Sequence, residues 1–316
     1  MARGHLLVVL DGGGTKTHCV IGDAKGKVLA HGYGGPSNHQ VVGLKVARQS
    51  IALALENALT AARIPLTSVA FGLFGLAGAD FFWDQELLGP EIRSIMGTIP
   101  FEIVNDAWIV LMGGSPAGWG VALICGTGTN AVARAPNGVT ATLRSQDYRL
   151  GNYGGGPHLA EQALHFAFRG DEGTGDQTLL QKELPALLGT RTMEDLFIRL
   201  FGHPEEPSPQ ELDRIPPLVF SLAAQGDLVC QRLLTTMGTE IGSMAAGVAV
   251  RAGVEALEFP LILSGSLLKN KECPLLADAV LQRVLSVAPG AHPIIPSDSP
   301  AEGALGEAIR RAALYL

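Results

Sequence analysis

The sequence predicts an α/β protein of two duplicated lobes, each a mixed sheet flanked by helices. Three observations carry that expectation. A strand–turn–strand pattern occurs twice, apolar strand candidates alternate with long helix candidates, and a breaker cluster stands just before the second copy.

The first copy runs from Leu7-Val8-Val9-Leu10 through Asp11-Gly12-Gly13-Gly14-Thr15-Lys16-Thr17 into His18-Cys19-Val20-Ile21. The second runs from Val121-Ala122-Leu123-Ile124-Cys125 through Gly126-Thr127-Gly128-Thr129-Asn130 into Ala131-Val132-Ala133. Each ends in a polar turn, Asp23-Ala24-Lys25-Gly26-Lys27 or Pro136-Asn137-Gly138, before a third strand. Glycine reaches positive φ and lets backbone approach an anion. Threonine adds a hydroxyl beside those amides. One such turn reads as an ordinary hairpin. Two in the same frame point to a nucleotide, with N–H groups from each lobe offered to its phosphates. Neither turn is G-x-x-x-x-G-K-[ST] or G-x-G-x-x-G, and each leads into a strand rather than a helix.

The remaining elements follow from periodicity. Strands are expected at Leu6–Leu10, Val69–Leu73, Phe101–Val104, Val121–Cys125 and Pro260–Leu263. Helices are expected at Val42–Ala62, His158–Phe168, Leu228–Ala252 and Leu275–Val287. In the first of these Leu44, Ile51, Leu55 and Leu59 share one face. A further helix should run through Trp108 and Leu111, and a last one from about Pro300 to Tyr315. Gly202–Pro217, with Pro204, Pro207, Pro209, Pro216 and Pro217, reads as a surface loop around at most a short helix. The second lobe should begin near Gly113-Gly114-Ser115-Pro116.

Bulk properties narrow the function. The 316 residues suffice for two domains, and 47% hydrophobic against 17% charged residues fill a large core. A net charge of -7 and a pI near 5.6 argue against nucleic acid. No Lys/Arg run suggests a membrane surface. The apolar run after Met1-Ala2-Arg3-Gly4-His5 is too short for a signal peptide, and Leu228–Ala252 reads as a buried helix because it holds Glu240, Arg251 and several Gly. Cys19, Cys125, Cys230 and Cys273 are isolated, without C-x-x-C or zinc spacing, as expected of reduced thiols in a cytoplasmic protein.

Asp106 follows the apolar strand Phe101-Glu102-Ile103-Val104. It can cap the next helix, and it can stand as a carboxylate at the strand's carboxyl end, where α/β sheets bind ligands. Asp11 is either a turn aspartate or a carboxylate that orients Mg²⁺ through water. Lys16 can meet a phosphate or remain solvated. Gly75-Leu76-Ala77-Gly78 follows a strand end, where small residues allow close approach.

The ordered set of motifs resembles the N-acetylglucosamine kinase and BadF/BadG/BcrA/BcrD-type ATPase family of the actin/hexokinase/Hsp70 superfamily. The matching stretches are Leu10-Asp11-Gly12-Gly13-Gly14-Thr15-Lys16-Thr17, Ser37-Asn38-His39, Asn105-Asp106-Ala107, Gly126-Thr127-Gly128-Thr129-Asn130, Ser264-Gly265-Ser266 and Ser299-Pro300-Ala301-Glu302-Gly303-Ala304. The resemblance implies two actin-like (ribonuclease H-like) lobes with an ATP cleft between them. It places 1–114 plus 300–316 in the first lobe and 115–299 in the second. It implies Asp106 as general base and Asp11 as Mg²⁺ carboxylate. Phosphates would meet Gly12, Gly13, Gly14, Thr15, Lys16, Gly126, Thr127, Gly128 and Thr129. Adenosine would border Gly265 and Ser266, and a sugar would contact Asn38, His39, Gly78, Asn130 and Asn152. One stretch departs from the family's Gly-Asp-Glu-Gly-Ser, reading Gly151-Asn152-Tyr153-Gly154-Gly155, and this puts the identity of the sugar in question.

The expected function is an ATP- and Mg²⁺-dependent kinase acting on the 6-hydroxyl of N-acetylglucosamine or a related amino sugar. The expected partner is a small sugar, with no nucleic acid or membrane, and a homodimer is left open. Two alternatives stand beside it. One is an ATP-driven activator subunit, which the isolated cysteines disfavour because it needs an iron–sulfur cluster. The other is a catalytically impaired sugar sensor, favoured if the Asn152-Tyr153 change abolishes turnover.

Overall fold

The computed structural model describes residues 6–144, 146, 148–201 and 206–315. The opening segment Met1–His5 and Pro204 of the proline-rich segment lie outside them. The chain forms β1 (Leu6–Gly12), β2 (Thr17–Gly22), β3 (Val28–Gly34), α1 (His39–Val42), α2 (Leu44–Ala62), β4 (Val69–Leu76), α3 (Phe82–Met96), β5 (Phe101–Asn105) and α4 (Asp106–Gly114). It continues through β6 (Gly120–Cys125), β7 (Thr129–Arg134), β8 (Thr140–Thr142), α5 (Gly156–Asp171), α6 (Leu180–Leu187), α7 (Met193–Phe201), α8 (Pro209–Leu212) and α9 (Ile215–Ala224). It ends with α10 (Leu228–Ala252), β9 (Phe259–Ser264), α11 (Leu275–Leu285), β10 (Ala291–Ile294), α12 (Pro300–Gly303) and α13 (Leu305–Ala312).

The duplication is visible in the sheets. One has the order β3-β2-β1-β4-β5, and the other, read in the same sense, β8-β7-β6-β9-β10. In each, the three hairpin strands are antiparallel and the crossover strands join in parallel. Both faces of the first strand are buried, which explains its unbroken apolar run. Val8 and Leu10 pack beneath α2 and α3, while Leu7 and Val9 pack against α4, α12 and α13. In the second sheet Val121, Leu123 and Cys125 face the large core under α5, α9 and α10, and Ala122 faces α4. Helix α4 therefore lies between the sheets, with Ile109 and Met112 toward the first and Val110 and Leu111 toward the second.

Several boundaries differ from expectation. Gly43, at φ 79°, breaks the first helix, so Val42 closes a separate short turn. The expected last helix divides at Ala304 into α12 and α13. The proline-rich segment contains α8, and Pro216 and Pro217 open α9, because proline fits a helix's first turn. Strand β10, at a sheet edge, carries Pro293, which edge pairing tolerates. Helix α10 is the one described helix that meets the length and hydropathy of a membrane span, and 56% of its most apolar window is buried.

Candidate active site between the two hairpins

The two glycine-rich turns face each other. A side chain at Gly14 would stand 3.7 Å from Thr127 Cγ2, so the first turn rests against the second. The turns are not identical. Gly13–Lys16 spans the paired residues Gly12 and Thr17, whereas Gly126–Gly128 spans Cys125 and Thr129. The Gly13 amide donates to the Lys16 carbonyl at 2.9 Å, and the Gly126 amide to the Gly128 carbonyl at 2.9 Å. Both close their own turns. The amides of Gly14, Thr15 and Thr127 bond no backbone carbonyl among the described residues, so these are available to an anion.

Thr129 departs from the phosphate-contacting expectation. It lies in β7, is 3% exposed, and its hydroxyl donates to Cys125 Sγ at 3.4 Å. The exposed hydroxyl at the first turn is that of Thr15, and Lys16 is exposed beside it. Gly155, at φ 93°, presses on the Thr127 carbonyl, and the Gly156 amide donates to the Gly126 carbonyl at 2.7 Å. Gly265, at φ 96°, sits on the Cys125 carbonyl from the other side. A cavity of about 270 Å³ opens here, lined by Thr15, Gly126, Thr127, Ser266, Asn270 and the Pro216–Pro217 start of α9 among others. It joins the residues expected at phosphate and adenosine. The contributions of Asn270, Pro216 and Pro217 were not foreseen. Larger concavities lie between α2 and Ile95 (about 450 Å³) and around Arg199 and Arg214 (about 700 Å³), and neither is lined by a hairpin residue.

The carboxylates stand deeper. Asp106 is the first residue of α4. Its neighbour Asn105, not Asp106, is the cap, accepting the Ala107 N–H at 3.0 Å. Burial, followed by the negative charges of Asp11 and Asp80, pushes the Asp106 pKa up to about 7. Burial raises Asp11 to about 6 against the opposing pull of Lys16 and Lys269. Lys269, from the second half of the chain, was not foreseen. Among the described residues the Asp11 side chain has neither a hydrogen bond nor an ion pair. Two neighbouring carboxylates with no directly paired cation fit a divalent ion, which would offset their charge.

The loop after β3 forms the adjoining wall. Asn38 caps α1 by accepting the Gln40 N–H at 3.0 Å, and Gly78 packs against its carbonyl oxygen. The Ser37 amide donates to the Gly13 carbonyl at 3.0 Å, tying this loop to the first turn. His39 is turned toward α3, with Nε2 3.1 Å from Asp84 Oδ1, while its Nδ1 is buried without a partner. Asn130 Nδ2 donates to Asn105 Oδ1 at 3.2 Å, which places Asn130 beside Asp106. Asn152 accepts the Tyr153 N–H at 2.9 Å and lines a separate recess of about 200 Å³ with Arg144 and Arg251. Tyr153 packs on His158, ring centroids 4.4 Å apart, against the second core. Asp80 is a residue the sequence did not single out. It accepts hydrogen bonds from Gln40, Asn105 and Gln146.

Two duplicated mixed sheets whose opening glycine turns face each other give the chain an actin-like α/β fold. The chain belongs to the BadF/BadG/BcrA/BcrD ATPase family, whose model it matches over residues 9–308. It is similar to an N-acetyl-D-glucosamine kinase of Dictyostelium discoideum, 26% identical over 95% of this chain and 96% of that one. It is also similar to an N-acetylmuramic acid/N-acetylglucosamine kinase of Clostridium acetobutylicum, 27% identical over 84% and 86%. A crystal structure from Chromobacterium violaceum, provisionally assigned as an N-acetylglucosamine kinase, shares the fold. Its TM-score is 0.72 at 21% identity, covering 97% of this chain and 99% of that one.

Proposed function

We propose that the chain is an ATP-dependent kinase that phosphorylates N-acetylglucosamine or a related hexosamine at the 6-hydroxyl. One observation carries the reading: Asp106, a carboxylate with its pKa pushed up to about 7, neighbours Asp11, which directly precedes the first of two opposed glycine turns. The names of the two kinase relatives support the acceptor class.

Phosphoryl transfer needs chiefly alignment and charge neutralisation. The free amides of Gly14, Thr15 and Thr127, with Lys16, hold the phosphates. Gly265 and Ser266 border adenosine. Asn38 and Asn130 orient the sugar, and Asp106 accepts the proton of the attacking hydroxyl. A base titrating near neutrality combines a large ionised fraction with useful basicity. Asp11 would hold Mg²⁺ through water, and the ion would supply charge neutralisation on the phosphates. The lobes are 1–114 plus 300–316 and 115–299, a division supported by the packing of α12 and α13 on β1. The reaction would take place in the cytoplasm.

The test is ADP release over hexoses, hexosamines, N-acetylhexosamines and muramic derivatives, with the product's phosphate position read by ³¹P NMR. Turnover of an N-acetylhexosamine to its 6-phosphate is expected. Absence of ADP release with every amino sugar would overturn the reading.

A further inference from the structure

Asp80 has no role in that reaction scheme, yet four elements meet on it. Its Oδ1 accepts from Asn105 Nδ2 at 2.7 Å, and its Oδ2 from Gln146 Nε2 at 2.8 Å and Gln40 Nε2 at 3.3 Å. All three donors are neutral amides, and no Lys or Arg pairs with it among the described residues. A carboxylate drawn from water needs such donors, and burial raises its pKa.

Capping of its own helix does not explain the arrangement. Helix α3 is already capped by Asp84, whose Oδ2 accepts the N–H groups of Asp80 and Phe81 at 3.0 and 2.8 Å. The Asp80 side chain instead reaches three other segments. Gln40 belongs to α1, beside Asn38. Asn105 ends β5. Gln146 follows β8, in the other half of the duplication. Asn105 in turn caps α4 through Ala107 N–H and receives Asn130 Nδ2. The side chain that Asp80 grips therefore fixes the helix start on which Asp106 sits.

We infer that Asp80 is a positioning residue: it latches the Gln146 segment to the first sheet and, through Asn105, sets the direction of Asp106. The inference rests on the reading of Asp106 as the base. Turnover should therefore depend on Asp80 although it touches neither proton nor phosphate, because small misplacements of a base cost about 10²-fold.

The test uses full-length Asp80→Asn and Gln146→Ala, with Asp106→Asn as reference. In the ligand-free protein, amide exchange at Ala107 should quicken by about tenfold in Asp80→Asn while melting changes by about 2 °C or less. In kinetics, kcat should fall about 10–100-fold with the KM for ATP within about twofold, and Gln146→Ala should act in the same direction more weakly. A merely structural carboxylate would lower melting and quicken exchange at Ala107 only in step with that loss of global stability. Unchanged exchange at Ala107, or a kcat within about twofold of wild type in both variants, overturns the inference. If wild type turns over no amino sugar, the proposed function fails, and the exchange measurement still decides the latch.

Discussion

Asp106 joins the two halves of the argument at the scale of single residues. Its ordinary pKa is 3.8, and in the fold it rises to about 7 because burial and the charges of Asp11 and Asp80 disfavour the anion. As the base it works only when ionised, so kcat/KM should climb through an acid limb at or below about pH 7, lower the more Mg²⁺ offsets the neighbouring charge; the same limb persisting in the residual activity of Asp106→Asn would remove it from that role. Asp106→Asn should lose about 10²–10⁴-fold in kcat while ATP still binds, measured by ADP release and calorimetry. The same shift makes a stability statement. A carboxyl group whose folded value is raised stabilises the fold at low pH, and that contribution is lost as pH rises through the folded value. Ligand-free Asp106→Asn should therefore be more stable than wild type at pH 8, by about 1–2 kcal/mol, and nearly equal at pH 4; the reverse order in thermal melts would contradict the origin of the shift. Asp106 was legible in the sequence because a polar residue follows an apolar strand. Asp80 was not, because its partners lie 25, 40 and 66 residues away and only the fold brings them together. His39 was read as a sugar contact, and no local signal showed that it turns to Asp84.

At the scale of elements, the strands and hairpins were readable because buried parallel strands leave unbroken apolar runs and glycines mark the turns. Two of the helices that escaped notice, α3 and α6, carry prolines in their interiors, whereas α7 escaped notice without one. Pro90 lies inside α3 and Pro185 inside α6, and a breaker inside a helical pattern masks it. The second turn's geometry was equally hidden. Its bracing comes from Gly155, distant in sequence, where an added Cβ would lie 2.5 Å from the Thr127 carbonyl and φ is 93°. Gly155→Ala should thus displace the Thr127 amide, raising the KM for ATP about tenfold and lowering stability by about 1–3 kcal/mol. Gly14→Ala is the contrasting case, since its Cβ meets Thr127 only at 3.7 Å. It should melt like wild type yet bind ATP more weakly, as the methyl group enters the gap between the turns. Equal ATP affinity in Gly14→Ala and wild type, by calorimetry, would mean that the gap holds no phosphate.

At the scale of the whole molecule, the duplicated sheets are joined through α4, which shows one face to each and carries Asp106 at its start. The sequence supplied the repeat but not this contact, because Gly113 and Gly303 are separated by most of the second half of the chain. In the fold they meet where α4 crosses α12. A Cβ on Gly303 would lie 2.7 Å from Gly113 Cα, so the crossing is as close as two backbones allow. A larger residue must push α12 off α4 and tilt the helix that aims the base. Gly303→Val should lower stability by about 1–3 kcal/mol. It should also reduce kcat well beyond any change in the KM for ATP, since the nucleotide turns lie on other elements. Gly306→Ala in α13 is the internal control: no atom lies within 4 Å of its Cβ position, and alanine favours a helix over glycine. It should keep full activity and gain up to about 1 kcal/mol. If Gly303→Val melts lower but keeps the wild-type kcat, α4 holds the halves together without setting the base, and the coupling between the crossing and Asp106 is absent.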